Sequence, residues 1–338
     1  MVIPTDPKFE GFELLQTPYK TVQGHDIRVD VLVPRTSVTG KRPIIVRFHG
    51  GGLVTITLHH PTPTGTNQNI QIIGDSIGWW PHWLSDLALQ HEAIMISPNY
   101  RLLPGSTSPE IYEDVEDFWK WLHSPELNRL LAQNPTPVEA DLDRVLTFGE
   151  SAGGLLSVYV GLSHPADIRV MTAAYPMLDL NPDPSKSSPK LPLGMHTDKK
   201  VLDEGPPPGT VESSILVGER SKYMLAAFEY QTFGQIYARG TDGVAPELLY
   251  PFRRLEKSPV EIPRGGVAIF HSYEDSIVPV EDAQKFVDRL REVTKGQPGN
   301  DKIVLSLQHG EHGFDMDFRL TEPWIQDVFK QAVDSWLA

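Results

Sequence analysis

Two stretches of this 338-residue chain crowd small residues around side chains that could do chemistry. The first is Gly149-Glu150-Ser151-Ala152-Gly153, a G-x-S-x-G pentapeptide. It follows the apolar run Arg144–Phe148 and opens an apolar stretch through Val160. On a tight strand-to-helix turn, a serine between glycines can be held in a strained backbone with its hydroxyl exposed. Glycines two residues to either side remove the clash such a turn creates. The helix start behind it points free N–H groups at negative charge developing there. The alternative is a glycine-rich turn carrying an idle serine.

A nucleophilic serine needs donors for an oxyanion, a base, and a group that orients the base. His49-Gly50-Gly51-Gly52 ends the apolar run Pro43–Phe48 and offers the donors. The N–H groups of Gly51 and Gly52, with that of Ala152, are the candidate oxyanion hole. His49 itself reads as a residue that orients this loop. The orienter should follow a later strand, and the stretch from His271 to Pro279 offers Asp275, with Glu274 as a rival one residue away. The base should follow the last strand, where Gln308–Phe314 contains two histidines. His312, between Glu311 and Gly313, is the preferred base; His309, nearer the strand end, reads as a packing residue.

These residues need a scaffold that delivers them from strand ends. Ile27–Val33 alternates and reads as a half-exposed, antiparallel strand ended by Pro34. Pro43–Phe48, Ala93–Ser97, Arg144–Phe148, Val170–Tyr175, Val267–His271 and Lys302–Leu307 read as buried strands. Glu110–His123, the stretch after Ser151, Val280–Val293 and Glu322–Leu337 read as helices. Buried strands alternating with amphipathic helices predict an α/β fold: a mostly parallel sheet with an antiparallel start. Residues 181–261 show no buried strand and read as an inserted, mainly helical cap on a core of 1–180 and 262–338. Residues 53–78 form a long polar loop expected near the site, as long loops are often functional. Trp79 and Trp80, just beyond it, are candidates to line a substrate pocket.

Composition narrows the function. With 30 Lys+Arg against 44 Asp+Glu, the net charge is −14, which argues against nucleic acid and anionic membrane surfaces. The absence of cysteine removes disulfides, thiolate metal sites and a cysteine nucleophile. His59-His60, in the polar loop with no acidic ligand nearby, reads as a solvated pair, so no metal and no cofactor are expected. The acidic run Glu110, Glu113, Asp114, Glu116 and Asp117 reads as the solvent face of a helix. The first residues lack a signal-peptide pattern, and no apolar run approaches ~18 residues. A cytoplasmic protein without integral membrane association is the expectation.

The order Ser151, Asp275, His312 along the chain is that of α/β-hydrolases. The sequence resembles that superfamily, specifically its hormone-sensitive-lipase-like group. The resemblance rests on His49–Gly52, Tyr100-Arg101-Leu102-Leu103-Pro104, Gly149–Gly154, Asp275 in a D-x-x-V-P setting and His312 in H-G-F. It departs from the group's usual pattern at Leu103-Pro104-Gly105, where A-P-E is common after Y-R-L. It departs again at Glu274–Pro279, which lacks the common D-P-L form, and in the length of the loop after the glycines.

The resemblance implies an α/β-hydrolase fold and a serine esterase acting on a small-molecule ester, lactone or thioester through an acyl-enzyme. By analogy with fungal natural-product pathways, the same residues could serve an acyl transferase, cyclase or thioesterase. A non-catalytic ligand-binding protein on the same scaffold is the reading from another class. The oligomeric state has no sequence signature.

Overall fold

The computed structural model describes residues 6–35, 39–55, 79–180, 191–214, 220–257 and 259–338. Its frame is one eight-stranded sheet. The strands are β1 (Phe12–Val22), β2 (His25–Pro34), β3 (Gly40–Phe48), β4 (Ile94–Pro98), β5 (Val138–Gly149), β6 (Val170–Ala174), β7 (Val267–Ser272) and β8 (Ile303–Gln308). Their order is β1-β2-β4-β3-β5-β6-β7-β8. β2 runs antiparallel to both β1 and β4, and every pairing from β4 to β8 is parallel. The α/β expectation with an antiparallel start therefore stands.

The pleat explains the layers. On β3, Ile44, Val46 and Phe48 face one side, where α2 (Ser108–Leu122), α3 (Pro125–Leu131) and α4 (Ala152–Ser163) cover them. Ile45 faces the other side with Leu146 and Phe148 of β5, against α1 (His82–Gln90) and α10 (Pro323–Leu337). α9 (Val280–Val293) joins α4 over β6 and β7. Both faces being covered, parallel strands must be apolar on both sides, which is why they read so clearly.

Four elements depart from expectation, the first being β8, read as buried but only half-buried past Ile303 because it is an edge strand. β1 is absent from the sequence reading because Pro18 and its polar outer residues hide the pattern; an edge strand tolerates both. It joins β2 through a two-residue turn at Gln23-Gly24, both at positive φ, which suits the twist of a hairpin. β2 is buried from Val29 onward rather than half exposed. β5 begins at Val138, because its acidic first half pairs with the start of β3.

The acidic face of α2 is also corrected. Asp114 is fully buried, and Lys20 of β1 lies 3.2, 2.9 and 2.8 Å from Glu113, Asp114 and Asp117. Arg101 Nε donates to Asp114 at 2.8 Å, and Glu116 bonds Tyr159 and His164. These carboxylates pin β1, the Arg101 segment and α4 to one helix.

Between β6 and β7 lie α5 (Ser221–Glu229), α6 (Phe233–Tyr237), α7 (Pro246–Leu249) and α8 (Pro251–Glu256), with short 3₁₀ turns before them. Residues 56–78 of the polar loop, including His59 and His60, and residues 181–190 lie outside the described residues. No helix among the described residues is long and apolar enough to cross a membrane.

Candidate active site

The site grows from the C-terminal ends of β3, β5, β7 and β8, the edge where parallel sheets place chemistry. Ser151 sits between β5 and α4 with φ 56° and ψ −117°. An L-residue pays of order 1–3 kcal/mol for such a backbone, so the surroundings must hold it there. They do: the Ser151 N–H donates to Ala174 O at 2.9 Å, and Ser151 O accepts from Met177 N at 3.0 Å. The flanking glycines are sterically required. A Cβ on Gly149 would meet Gly153 O at 2.1 Å, and one on Gly153 would meet Phe48 O at 2.0 Å.

The glycine loop after β3 lies against this turn. A Cβ on Gly50 would stand 3.5 Å from the Ser151 Cβ. Gly50 N–H is already taken by Glu150 Oε1 at 3.2 Å, which leaves Gly51 and Gly52 as the next donors along the loop. Gly52 adopts φ 63°, and a Cβ there would come within 2.9 Å of Met224 on α5. α5 therefore packs directly against the loop. Ala152 is the first residue of α4, so its N–H has no partner within the helix.

His49 orients the loop, as its sequence position suggested. Its ring stacks on Tyr100 at 4.2 Å, and Tyr100 Oη donates to His49 O at 2.6 Å. Burial pushes the His49 imidazole down to about 3, so it stays neutral. Beneath the turn, Arg47 and Glu150 form a fully buried ion pair. Arg47 also donates to Trp79 O at 2.8 Å and lies 4.5 Å over the Trp80 ring. Burial raises the Glu150 carboxyl to about 7 even beside Arg47. Sequence reading missed this pair, since nothing in the separation of residues 47 and 150 announces it.

The structure joins Asp275 and His312. Nδ1 of His312 lies 2.8 Å from Asp275 Oδ2, and both residues are buried. An acidic partner at Nδ1 fixes the proton there and leaves Nε2 as the acceptor. Asp275 Oδ1 accepts from Ile277 N at 2.9 Å and Val278 N at 2.8 Å. Burial alone would raise the Asp275 carboxyl; its interaction with His312 and the bond from Val278 N outweigh it and hold the group below its usual value. The rivals pair with each other instead: His309 Nδ1 lies 2.7 Å from Glu274 Oε1, at the exposed rim.

Tyr175 links the histidine to the serine turn. It follows Ala174, which accepts the Ser151 N–H, and its ring lies 4.6 Å from that of His312. Its hydroxyl donates to the buried Asp315 at 2.8 Å, and Asp315 also accepts from Trp83 at 2.9 Å. Burial raises the Asp315 carboxyl. Asp315 stands three residues after His312, a proximity the sequence reading did not use.

The two tryptophans part company. The Trp79 ring lies edge-on to His312 with centroids 6.0 Å apart, and a Cβ on Gly313 would meet it at 2.3 Å. Trp80 is corrected: its indole donates to Ser85 at 2.8 Å and its ring meets Phe9, so it fills the core rather than a pocket. Burying so large a ring against α1 outweighs exposing it at the site. Among the described residues, no group of three or more His, Asp or Glu side chains could hold a metal.

Comparison with known proteins agrees with this architecture. A family model described as the alpha/beta hydrolase fold matches residues 45–204. "Probable carboxylesterase M8" of Phoma sp. is 28% identical over 97% of this chain and 97% of its own length. The non-reducing polyketide synthase Preu6 of Preussia isomera is 25% identical over 96% of this chain, which matches 15% of that protein. Among solved structures, a butyrate-bound esterase of Thermogutta terrifontis superposes with TM-score 0.55 at 16% identity, covering 98% of this chain and 96% of that one. The chain has the α/β-hydrolase fold, and over residues 45–204 it resembles the family described by that fold.

Proposed function

We propose that the chain is a serine hydrolase of carboxylic esters in which Ser151 is the nucleophile, His312 the general base and Asp275 its orienter. His312 Nε2 takes the proton as Ser151 Oγ attacks the ester carbonyl. Asp275 holds the imidazole in the required tautomer and stabilises the imidazolium. The Gly51, Gly52 and Ala152 N–H groups receive the oxyanion of the tetrahedral intermediate. His312 then returns the proton to the leaving alcohol, and water, activated by the same base, releases the acyl group.

The observation that supports the reading is the buried Asp275–His312 bond of 2.8 Å, whose histidine packs on Tyr175, the residue after the Ala174 carbonyl that holds the strained serine turn. Residues 181–261 serve in this reading as a cap over the site. Its support is the contact of Met224 and Phe228 with Gly52, and the bond of Leu102 N to Glu212 O at 2.9 Å. In this reading cap and sheet together would enclose small to medium, largely apolar acyl or alcohol groups. The substrate is then a small-molecule ester. The likeness to part of a polyketide synthase favours a second reading, in which another nucleophile replaces water on the same acyl-enzyme.

The test is labelling by a fluorophosphonate together with turnover of p-nitrophenyl esters of increasing chain length, lactones and thioesters. Wild-type protein is expected to be labelled at Ser151. Ser151→Ala is expected to lose labelling and on the order of a millionfold in kcat, the scale set by serine proteases. Turnover of more than a few per cent in a pure Ser151→Ala preparation would sink the assignment. Faster reaction with an added alcohol than with water would favour the second reading.

A further inference from the structure

β7 and β8 run side by side until Ser272 and Gln308, and the last ladder bond is Tyr273 N to Gln308 O at 3.0 Å. Beyond it the chains leave the sheet as two loops, 273–279 and 309–313, which carry Asp275 and His312. Backbone pairing no longer fixes their separation, yet the site in the proposed function needs it fixed to a fraction of an ångström.

Side chains take over. Glu311 Oε1 accepts from Ser276 N at 2.8 Å on the opposite loop and from His312 N at 2.7 Å on its own. One carboxylate oxygen thus spans the gap and touches the immediate neighbour of Asp275 and the backbone of His312. On the other flank Glu274 reaches across in the reverse direction, from the Asp275 loop to Gly310 N at 2.7 Å and to His309. Along its own loop Asp275 stands between Glu274 and Ser276, the residues at which the two rungs meet that loop. The inner rung also reaches the segment after β6: Ser276 Oγ accepts from Leu193 N at 2.7 Å.

We infer that Glu311 is a positioning residue, clamping the Asp275 loop to the His312 loop by hydrogen bonds that set the Asp275–His312 geometry. This rests on the proposed roles of those two residues. Glu311 is half-buried, whereas Glu274 is exposed, so water replaces the outer rung more readily than the inner one. The clamp works by accepting hydrogen bonds, so a neutral acceptor of the same length preserves it.

The experiment compares wild type, Glu311→Gln, Glu311→Ala and Glu274→Ala in full-length protein. It measures kcat and KM on p-nitrophenyl butyrate, the rate of fluorophosphonate labelling, and the low-field proton resonance of His312 Nδ1–H. Glu311→Ala is expected to lose roughly 10–100-fold in kcat and labelling rate with KM changed less than about threefold, the cost of a misplaced catalytic group. Its Nδ1–H resonance should broaden. Glu311→Gln should keep the resonance and stay within about threefold of wild type, as should Glu274→Ala.

Full activity in folded Glu311→Ala overturns the clamp, and so does a Glu311→Gln as impaired as Glu311→Ala. If Glu311→Ala does not fold, Glu311→Asp takes its place: one methylene short of Ser276 N, it should share the loss, and wild-type kcat there overturns the clamp. Failure of wild-type protein to label at Ser151 withdraws the proposed function and the clamp with it. Normal labelling of wild type and Glu311→Ala alike withdraws the clamp alone.

Discussion

Gly153→Ala tests whether the serine turn and the glycine loop work as one rigid unit. A Cβ on residue 153 would stand 2.0 Å from Phe48 O and 2.6 Å from His49 O, where ordinary contact begins at 3.4 Å. Both obstacles are backbone atoms, so no side chain can swing aside. α4 is buried on nearly every face and cannot withdraw, and β3 is held between β4 and β5. The displacement must come at the end of β3, where the His49–Gly52 loop begins. Shifting oxyanion donors by about 1 Å costs on the order of 100-fold in kcat, or ~2.7 kcal/mol of barrier. Overpacking adds a stability loss of ~1–3 kcal/mol.

The assay is kcat on a p-nitrophenyl ester, corrected for active sites by fluorophosphonate titration, beside thermal unfolding. Gly296→Ala is the control: it adds a Cβ at φ 84° with open space around it, so it costs ~1–2 kcal/mol of backbone strain and leaves kcat unaltered. A folded Gly153→Ala within threefold of wild-type kcat would refute the reasoning, since the steric argument leaves no cheaper escape.

Asp275→Asn should lower kcat by on the order of 10⁴-fold through the wrong imidazole tautomer, while Glu274→Gln stays within about threefold. The reverse ranking, read from kcat of the two variants, would move the acid role by one residue. His312→Ala should match Ser151→Ala within an order of magnitude, and His309→Ala should be mild because its partner is exposed. Activity should rise with pH through one ionisation, because only neutral imidazole accepts the serine proton. Asp275, held below its ordinary value of 3.8, contributes stability above that value and loses it as pH falls through the lowered one. It should therefore add no second limb to a pH–kcat profile above ~pH 4. A two-proton acidic limb in that profile would contradict this.

What the sequence disclosed about the site follows from where each constraint is written. Gly149, Gly153 and Gly50–Gly52 are legible because the geometry they permit is local, and only a missing side chain satisfies it. Asp275 and His312 were preferred over their neighbours on loop position, and the structure brings that pair together while pairing Glu274 with His309. Partnerships across the chain left no such trace. Arg47 with Glu150, and Glu311 with Ser276, join residues whose spacing carries no period. Trp80 misled because apolar bulk near a loop looks the same whether it faces the core or a pocket.

In the fold, β3, β4, β6 and β7 were visible as continuous apolar runs buried on both faces, and β8 as an apolar run of which only Ile303 is buried. β1 was not, because an edge strand with Pro18 and polar outward residues obeys weaker rules. Nor was the first half of β5, whose acidic residues pair only with the margin of β3. The acidic face of α2 misread as solvated because its counter-ions, Lys20 and Arg101, come from other elements.

The sheet order places the proposed nucleophile and its base on elements of unequal endurance. Ser151 starts a helix with all but two residues buried, behind a strand flanked on both sides. His312 hangs from β8, an edge strand that is only half-buried past Ile303. Amides of α4 should exchange with solvent only on global unfolding, whereas those of β8 and the loop after it can exchange through local opening. Warming should thus switch the protein off before it melts. The base would leave its station while the nucleophile stays seated, and cooling would restore turnover without refolding the core.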